Sequence, residues 1–321
     1  MTTPQSVLRS SIPARFRRPV PAEPTEYRST WEHVAFYLFT IVPFLALAGG
    51  IALAATWHSI TLLDAGLAVV MYVITGLGVT VGYHRHFTHG SFKAKRPLRI
   101  ALAIAGSLAI EGGILRWVAD HRKHHRYSDG AGDPHSPWRF GTSPMAVLRG
   151  FWWAHTGWLF DRNQVVKEKY APDLAADPAM VRIHRLFPMW VAISLLLPPA
   201  VAYAVTGGSW RAAATAFLWA SLVRVFLLHH VTYSINSVCH MMGRRPFRTR
   251  DRSTNVWPLA VLSFGESWHN LHHADPTCAR HGALPRQVDS SARLIKWFER
   301  VGWVWDVRWP DEERLAARRA D

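Results

Sequence analysis

Cysteine is the scarcest informative residue in this chain of 321: there are two, Cys239 and Cys278. Two cysteines exclude a disulfide framework and any cysteine-based zinc or iron–sulfur site. Charge is also thin, at 18% of residues against the roughly 25% usual in soluble domains. Acidic residues are fewer still, 22 against 37 Lys and Arg, which leaves a net charge of +15. No apolar h-region followed by a small-residue cleavage site opens the chain, so its start does not read as a secretory signal. Gly-rich nucleotide fingerprints, internal repeats of 20–50 residues and nucleic-acid-binding modules are missing as well. What the chain has in excess is hydrophobic residues, at 49%, together with 18 histidines and 16 tryptophans.

The apolar residues are gathered into runs. Val34 to Ala55 and Ala65 to Tyr83 are free of Lys, Arg, Asp and Glu, and each is long enough for a helix to cross a hydrocarbon core of about 30 Å. Asp64 reads as the N-cap of the second. The spacing predicts four transmembrane helices, near 34–55, 65–83, 186–210 and 212–235. Pro198-Pro199 interrupt the third, and Arg224 in the fourth either snorkels or faces other helices and finds a partner. The stretch Ile100 to Ile110 is too short to span and reads as a buried or interfacial helix. Residues 1–30 read as a basic, disordered tail. Residues 31–321 read as a single membrane domain whose cap comes from 84–185 and 236–321. The fold class expected is therefore an all-α integral membrane protein with a histidine-rich helical cap.

Lys and Arg are distributed unevenly. The short connections at 57–64 and 207–210 have none, whereas the first 32 residues carry five, the segment 84–185 sixteen and the region after His240 fourteen. This bias puts both termini and the cap on the cytoplasmic side. It accounts for the positive charge without a nucleic-acid partner.

The histidines cluster on that same side. His84 and His89 lie in HRHFTH, His121, His124 and His125 in HRKHH, and His269, His272 and His273 in HNLHH. Asn236 and His240 close the fourth span in NSVCH. Positions i, i+3 and i+4 share one helix face, so each HxxHH gathers its imidazoles. His84 and His89, five apart, converge only if the helix ends or distorts, and Gly90 suits an ending. Nine imidazoles are too many for one ion and suit two, with four or five ligands each. Imidazole alone leaves iron, copper, zinc and nickel open. The other histidines, among them His135, His155, His230 and His281, read as structural.

The runs GYHRHFTHGSFKAKRPLR, WVADHRKHHRYSDGAGDPH, NSVCHMMGRRPF and GESWHNLHHADP, in this order between these spans, resemble the membrane fatty-acid desaturases. The likeness is greatest to the acyl-CoA Δ9 (stearoyl-CoA) type. It covers about Gly82 to Asp306 and implies a four-helix mushroom holding two iron ions. Matched position by position, the metal ligands are His84, His89, His121, His124, His125, His240, His269, His272 and His273, with Asn236 acting through a water.

The activity this resemblance implies is O₂-dependent formation of a cis double bond in a long-chain acyl-CoA or other acyl thioester, with no catalytic side chain beyond the metal centre. The electrons are expected from a separate ferredoxin-type or cytochrome-type donor and its NAD(P)H reductase. Trp117, Thr232, Tyr233 and Trp268 are the expected tunnel residues. The animal enzymes read WARDH before the second box; here Ala119 replaces that Arg, so either Arg116 or Arg122 compensates or the acyl carrier is a different one. The alternatives are a di-iron fatty-acid or alkane hydroxylase and, more remotely, a non-redox zinc-binding membrane protein.

Overall fold

The computed structural model describes residues 25–57 and 60–320. Most of the expected tail, 1–24, lies outside these residues. Thr25–Tyr27, however, form strand β1 instead of prolonging a tail. Among the described residues, four helices are long and apolar enough to cross a membrane: Thr30–Ala55 (within α1, Thr30–Trp57), α2 (Leu62–Thr88), and two we label α7 (Phe187–Val205) and α8 (Trp210–His240). Their apolar side chains point outward along the spans, as at Phe44, Leu45, Val69 and Leu196, because lipid rather than protein is their solvent.

Between α2 and α7 lie strand β2 (Lys93–Ala94), α3 (Arg96–Ser107), α4 (Ile114–Tyr127), α5 (Pro144–His155), strand β3 (Asn163–Val165) and α6 (Pro178–Arg185). After α8 come α9 (His269–Ala274), α10 (Ser290–Arg300), strand β4 (Val304–Trp305) and α11 (Glu312–Arg318). The strands form two antiparallel pairs, β1 with β3 and β2 with β4. The main core is in the cap, where Val81, Tyr83 and Phe87 of α2 pack with Leu98, Leu102, Ile114, Val118 and Ile295.

Several local expectations are corrected. Thr61, not Asp64, caps α2: its hydroxyl accepts from the Asp64 N–H while Asp64 reaches back to the Thr61 N–H, a reciprocal capping box. Helix α7 runs unbroken through Pro198 and Pro199. Arg224 faces inward, with Nη2 donating to Ser194 O at 3.2 Å and Ser194 Oγ at 2.9 Å. Beyond Leu77, α2 does not end before its histidines but widens into a π-helix, Gly78–Thr88.

Candidate metal centre

That widening brings the first histidine pair together. In a π-turn the N–H of one residue meets the carbonyl five before it, so side chains five apart lie over one another. His89 N donates to His84 O at 3.2 Å, and the rings are 4.9 Å apart. Gly90, at φ +59°, then turns the chain away.

The two HxxHH segments divide their histidines between two groups. Ring nitrogens of His84, His89, His121, His125 and His272 all lie within 4.8 Å of one another. Those of His124, His240, His269 and His273 form a second such group. Helix α4 thus sends its i, i+4 pair, His121 and His125, to the first group and His124 to the second. Helix α9 does the reverse, giving His269 and His273 to the second and His272 to the first. The expectation that all three imidazoles of a box act on one face holds only for each i, i+4 pair.

At six residues, α9 is too short to be stable alone. Asn270 fixes it by donating to Phe247 O and Ser253 O at 3.1 Å and accepting from Phe247 N at 2.7 Å.

Buried carboxylates set the tautomers. Nδ1 of His124 faces Asp133 at 3.0 Å, that of His240 faces Asp129 at 3.1 Å and that of His273 faces Asp251 at 2.7 Å. His84 Nδ1 pairs with Glu266. Nδ1–H is committed to a carboxylate in each case, which leaves the Nε2 lone pair bare and directed inward.

The inward nitrogens meet one another. His84 and His272 approach Nε2 to Nε2 at 3.0 Å, His240 and His269 at 3.1 Å, and His269 and His273 at 2.9 Å. His89 Nε2 and His124 Nε2 are buried with no hydrogen-bond partner. Converging lone pairs repel unless a cation lies between them, so both groups fit metal ions bound by neutral nitrogen. Burial first, then the neighbouring imidazoles, holds His89, His121, His125, His269 and His272 well below the ordinary histidine pKa. Burial likewise pushes His273 down to about 4, against the opposing pull of Asp251. All six are neutral at neutral pH, which is the state that ligates.

Two histidines read as structural join the periphery. His281 is fully buried, its ring 4.5 Å from His272 and its Nδ1 3.3 Å from the same Glu266 oxygen that meets His84. His135 stacks on His124 at 4.3 Å and lies with it and Asp133 in a further group of possible ligands. Arg85 is enclosed between Glu266, at 3.0 Å, and Asp289, at 3.1 Å, so the buried carboxylates have a compensating charge. Asp133, His135 and Glu266 stand within the motif-bearing segments, but no periodicity marks them as partners of the boxes.

A cavity runs beside the histidines. His84, His121, His269 and Glu266 line it, as do Asn236, Trp117, Thr232 and Tyr233. Trp117 stacks on His121 at 5.0 Å and donates from Nε1 to Glu111 at 3.1 Å, while Thr232 donates to Glu111 at 2.7 Å. Glu111 was not anticipated. Burial raises its carboxyl to about 7 despite these two donors.

Gly76, Leu262 and Phe264 form one part of the wall; Asp120, His135 and Trp158 form another. Asp120 and Trp158 also belong to a polar cavity lined by Arg28, Lys123 and Arg139. Three expected substrate residues lie elsewhere. Trp268 donates to Val288 O at 2.8 Å and packs over Gly282. Arg116 is engaged by Glu26 and the Val165 carbonyl, and Arg122 by Asp173 and the Phe87, Thr88 and Tyr170 carbonyls. Their donors are spent on holding β1, β3 and the end of α2 in place.

The fold and site define a mostly helical membrane protein with a buried histidine centre capable of holding metal. Residues 60–287 match the family described as fatty acid desaturase, and the chain belongs to that family. It is 37% identical over 287 residues, 88% of each chain, to a hex-5-enoyl-[acyl-carrier protein] acetylenase of Moorena producens. It is 37% identical to Delta-9 acyl-lipid desaturase 1 of Arabidopsis thaliana, over 77% of this chain and 76% of that one. To an acyl-CoA C20 Delta5-desaturase of Anemone leveillei it is 36% identical, over 75% and 73%.

Proposed function

We propose that the protein introduces a cis double bond, at the Δ9 position, into a long-chain acyl thioester, with acyl-CoA as the preferred carrier. Two irons would be held by the nine box histidines, five in one group and four in the other, with Asn236 holding a water on the cavity wall. The observation that carries this reading is the convergence of two sets of bare imidazole nitrogens beside one cavity. Bound there, iron with O₂ would supply the removal of hydrogen from unactivated methylenes.

The protein's own part is positional. Asp129, Asp133, Asp251 and Glu266 hold four imidazoles in the ligating tautomer. Trp117, Tyr233 and the Thr232–Glu111 pair shape the cavity against an acyl chain. Two hydrogens leave adjacent carbons, two electrons arrive from a separate ferredoxin-type or cytochrome-type donor with its reductase, two protons come from solvent, and O₂ becomes two waters. Arg28, Lys123 and Arg139, around the polar cavity that shares Asp120 and Trp158 with this one, support an anionic carrier. The relatives' names carry three different acyl carriers, so the carrier is the finer part of the proposal. The Lys and Arg bias supports a cytoplasmic cap and cytoplasmic termini.

The test is expression, with a compatible donor, in a host lacking Δ9 desaturation, followed by mass spectrometry of the acyl chains. A monounsaturated chain two mass units below its parent is expected. An oxygenated product sixteen units heavier would replace desaturation with hydroxylation.

A further inference from the structure

Four helices account for the spans, but they do not account for every lipid-like surface. The ten residues Val256 to Gly265 carry no charge in a chain of net +15. They include a short 3₁₀ turn, Trp257–Leu259. Trp257 is 75% exposed, Val261 66% and Leu262 52%, and Pro258 beside them is exposed too. These positions recur at i, i+1, i+4 and i+5, so they make one outward apolar face.

The segment is tied to a spanning helix. Tyr72 of α2 donates to Leu262 O at 2.9 Å, and its ring lies 5.7 Å from that of Phe264. Phe264 fills the space above Gly76, where an added Cβ would come within 2.3 Å of it. Around this contact α2 presents Val69, Val70, Val73 and Ile74 outward, all exposed. The apolar face of the segment therefore continues a surface already made for hydrocarbon.

We propose that Trp257–Leu262 is a fifth membrane-embedded element, a non-spanning strap whose outer face contacts the acyl region of the bilayer. Continuity with the lipid-facing side of α2 selects lipid as the occupant over a soluble partner. The consequence for the enzyme is specific. Leu262 belongs both to the outward face and to the wall of the acyl cavity, with Phe264 and Gly76 beside it. One layer of side chains separates that part of the cavity from lipid, so lipid rather than water seals it.

The full-length protein with Val261→Cys, and separately with Trp257→Cys, is labelled with an NBD maleimide and placed in phosphatidylcholine nanodiscs. The native cysteines are both buried, and unsubstituted protein measures any background. Doxyl groups on the lipid acyl chains are expected to remove most of the emission, with aqueous iodide removing little. Glu313→Cys, exposed on α11, should show the reverse. Quenching of the strap labels by iodide to the level of the Glu313 label would overturn the proposal. So would protection from both quenchers together with a disulfide crosslink between two copies of the unlabelled Val261→Cys protein, which would make the face a contact between protomers. The readout needs neither metal nor turnover, so a chain that inserts but desaturates nothing still tests the strap.

Discussion

His125 and His272, 147 residues apart, face each other Nε2 to Nε2 at 2.8 Å. One rides on α4, the other on the six-residue α9. Replacing His125 with Ala removes one of five nitrogens from its group and leaves the His124 group intact. The variant should insert into membranes as wild type does, lose about half its iron by elemental analysis, and lose desaturation altogether. Wild-type activity with wild-type iron would remove His125 from the ligand set.

The carboxylates behind the histidines give a graded prediction. Asp251→Asn keeps the shape but accepts a weaker hydrogen bond from His273, whose Nδ1 now stands 2.7 Å from Asp251. Loss of an outer partner of this kind weakens metal binding by about 10–100-fold. Chelator competition should show one class of iron released at lower chelator concentration, and the first group should keep its affinity. Release of both irons in parallel would mean that Asp251 holds the cap together rather than one site.

The spans and the two HxxHH clusters are legible in sequence because apolar length and i, i+4 spacing are local properties. The rest of the site depends on long-range placement. The spacing of His84 and His89 demands a distortion, but nothing local says that the helix widens into a π-turn instead of ending. Glu266, Asp129 and Asp133 are acids near the boxes, and their roles follow from which ring each faces across the fold. His281 looks isolated, yet packing delivers it to the oxygen that serves His84. Arg116, Arg122 and Trp268 sit next to ligands in sequence, but their polar atoms turn away to bind backbone carbonyls and acids.

Gly76 offers a steric test of the cavity. It lies about two turns before His84 along α2, and its missing side chain is the space Phe264 occupies. Gly76→Ala should be tolerated with a stability loss of about 1–3 kcal/mol from overpacking. Gly76→Leu should intrude on the cavity and shift the products toward shorter acyl chains by gas chromatography, with iron content unchanged. An unaltered chain-length profile in a folded, iron-loaded Gly76→Leu protein would move the end of the acyl chain elsewhere.

Glu111 makes stability depend on pH in a definite direction. Burial raises its carboxyl from 4.5 to about 7, and the donors Thr232 and Trp117 only partly oppose this. A raised acid pKa means that the folded state keeps a proton the unfolded state releases. Stability is therefore whole below about pH 4.5, falls as pH rises toward about 7, and levels above that. The full difference is on the order of 3 kcal/mol, at 1.36 kcal/mol per pKa unit. Glu111→Gln has no proton to lose. Its thermal unfolding in detergent should run parallel to wild type in acid, and wild type should lose ground to it through this window. Parallel curves over the whole range would mean that Glu111 is already ionised in the folded enzyme, with its charge met by a partner beyond Thr232 and Trp117.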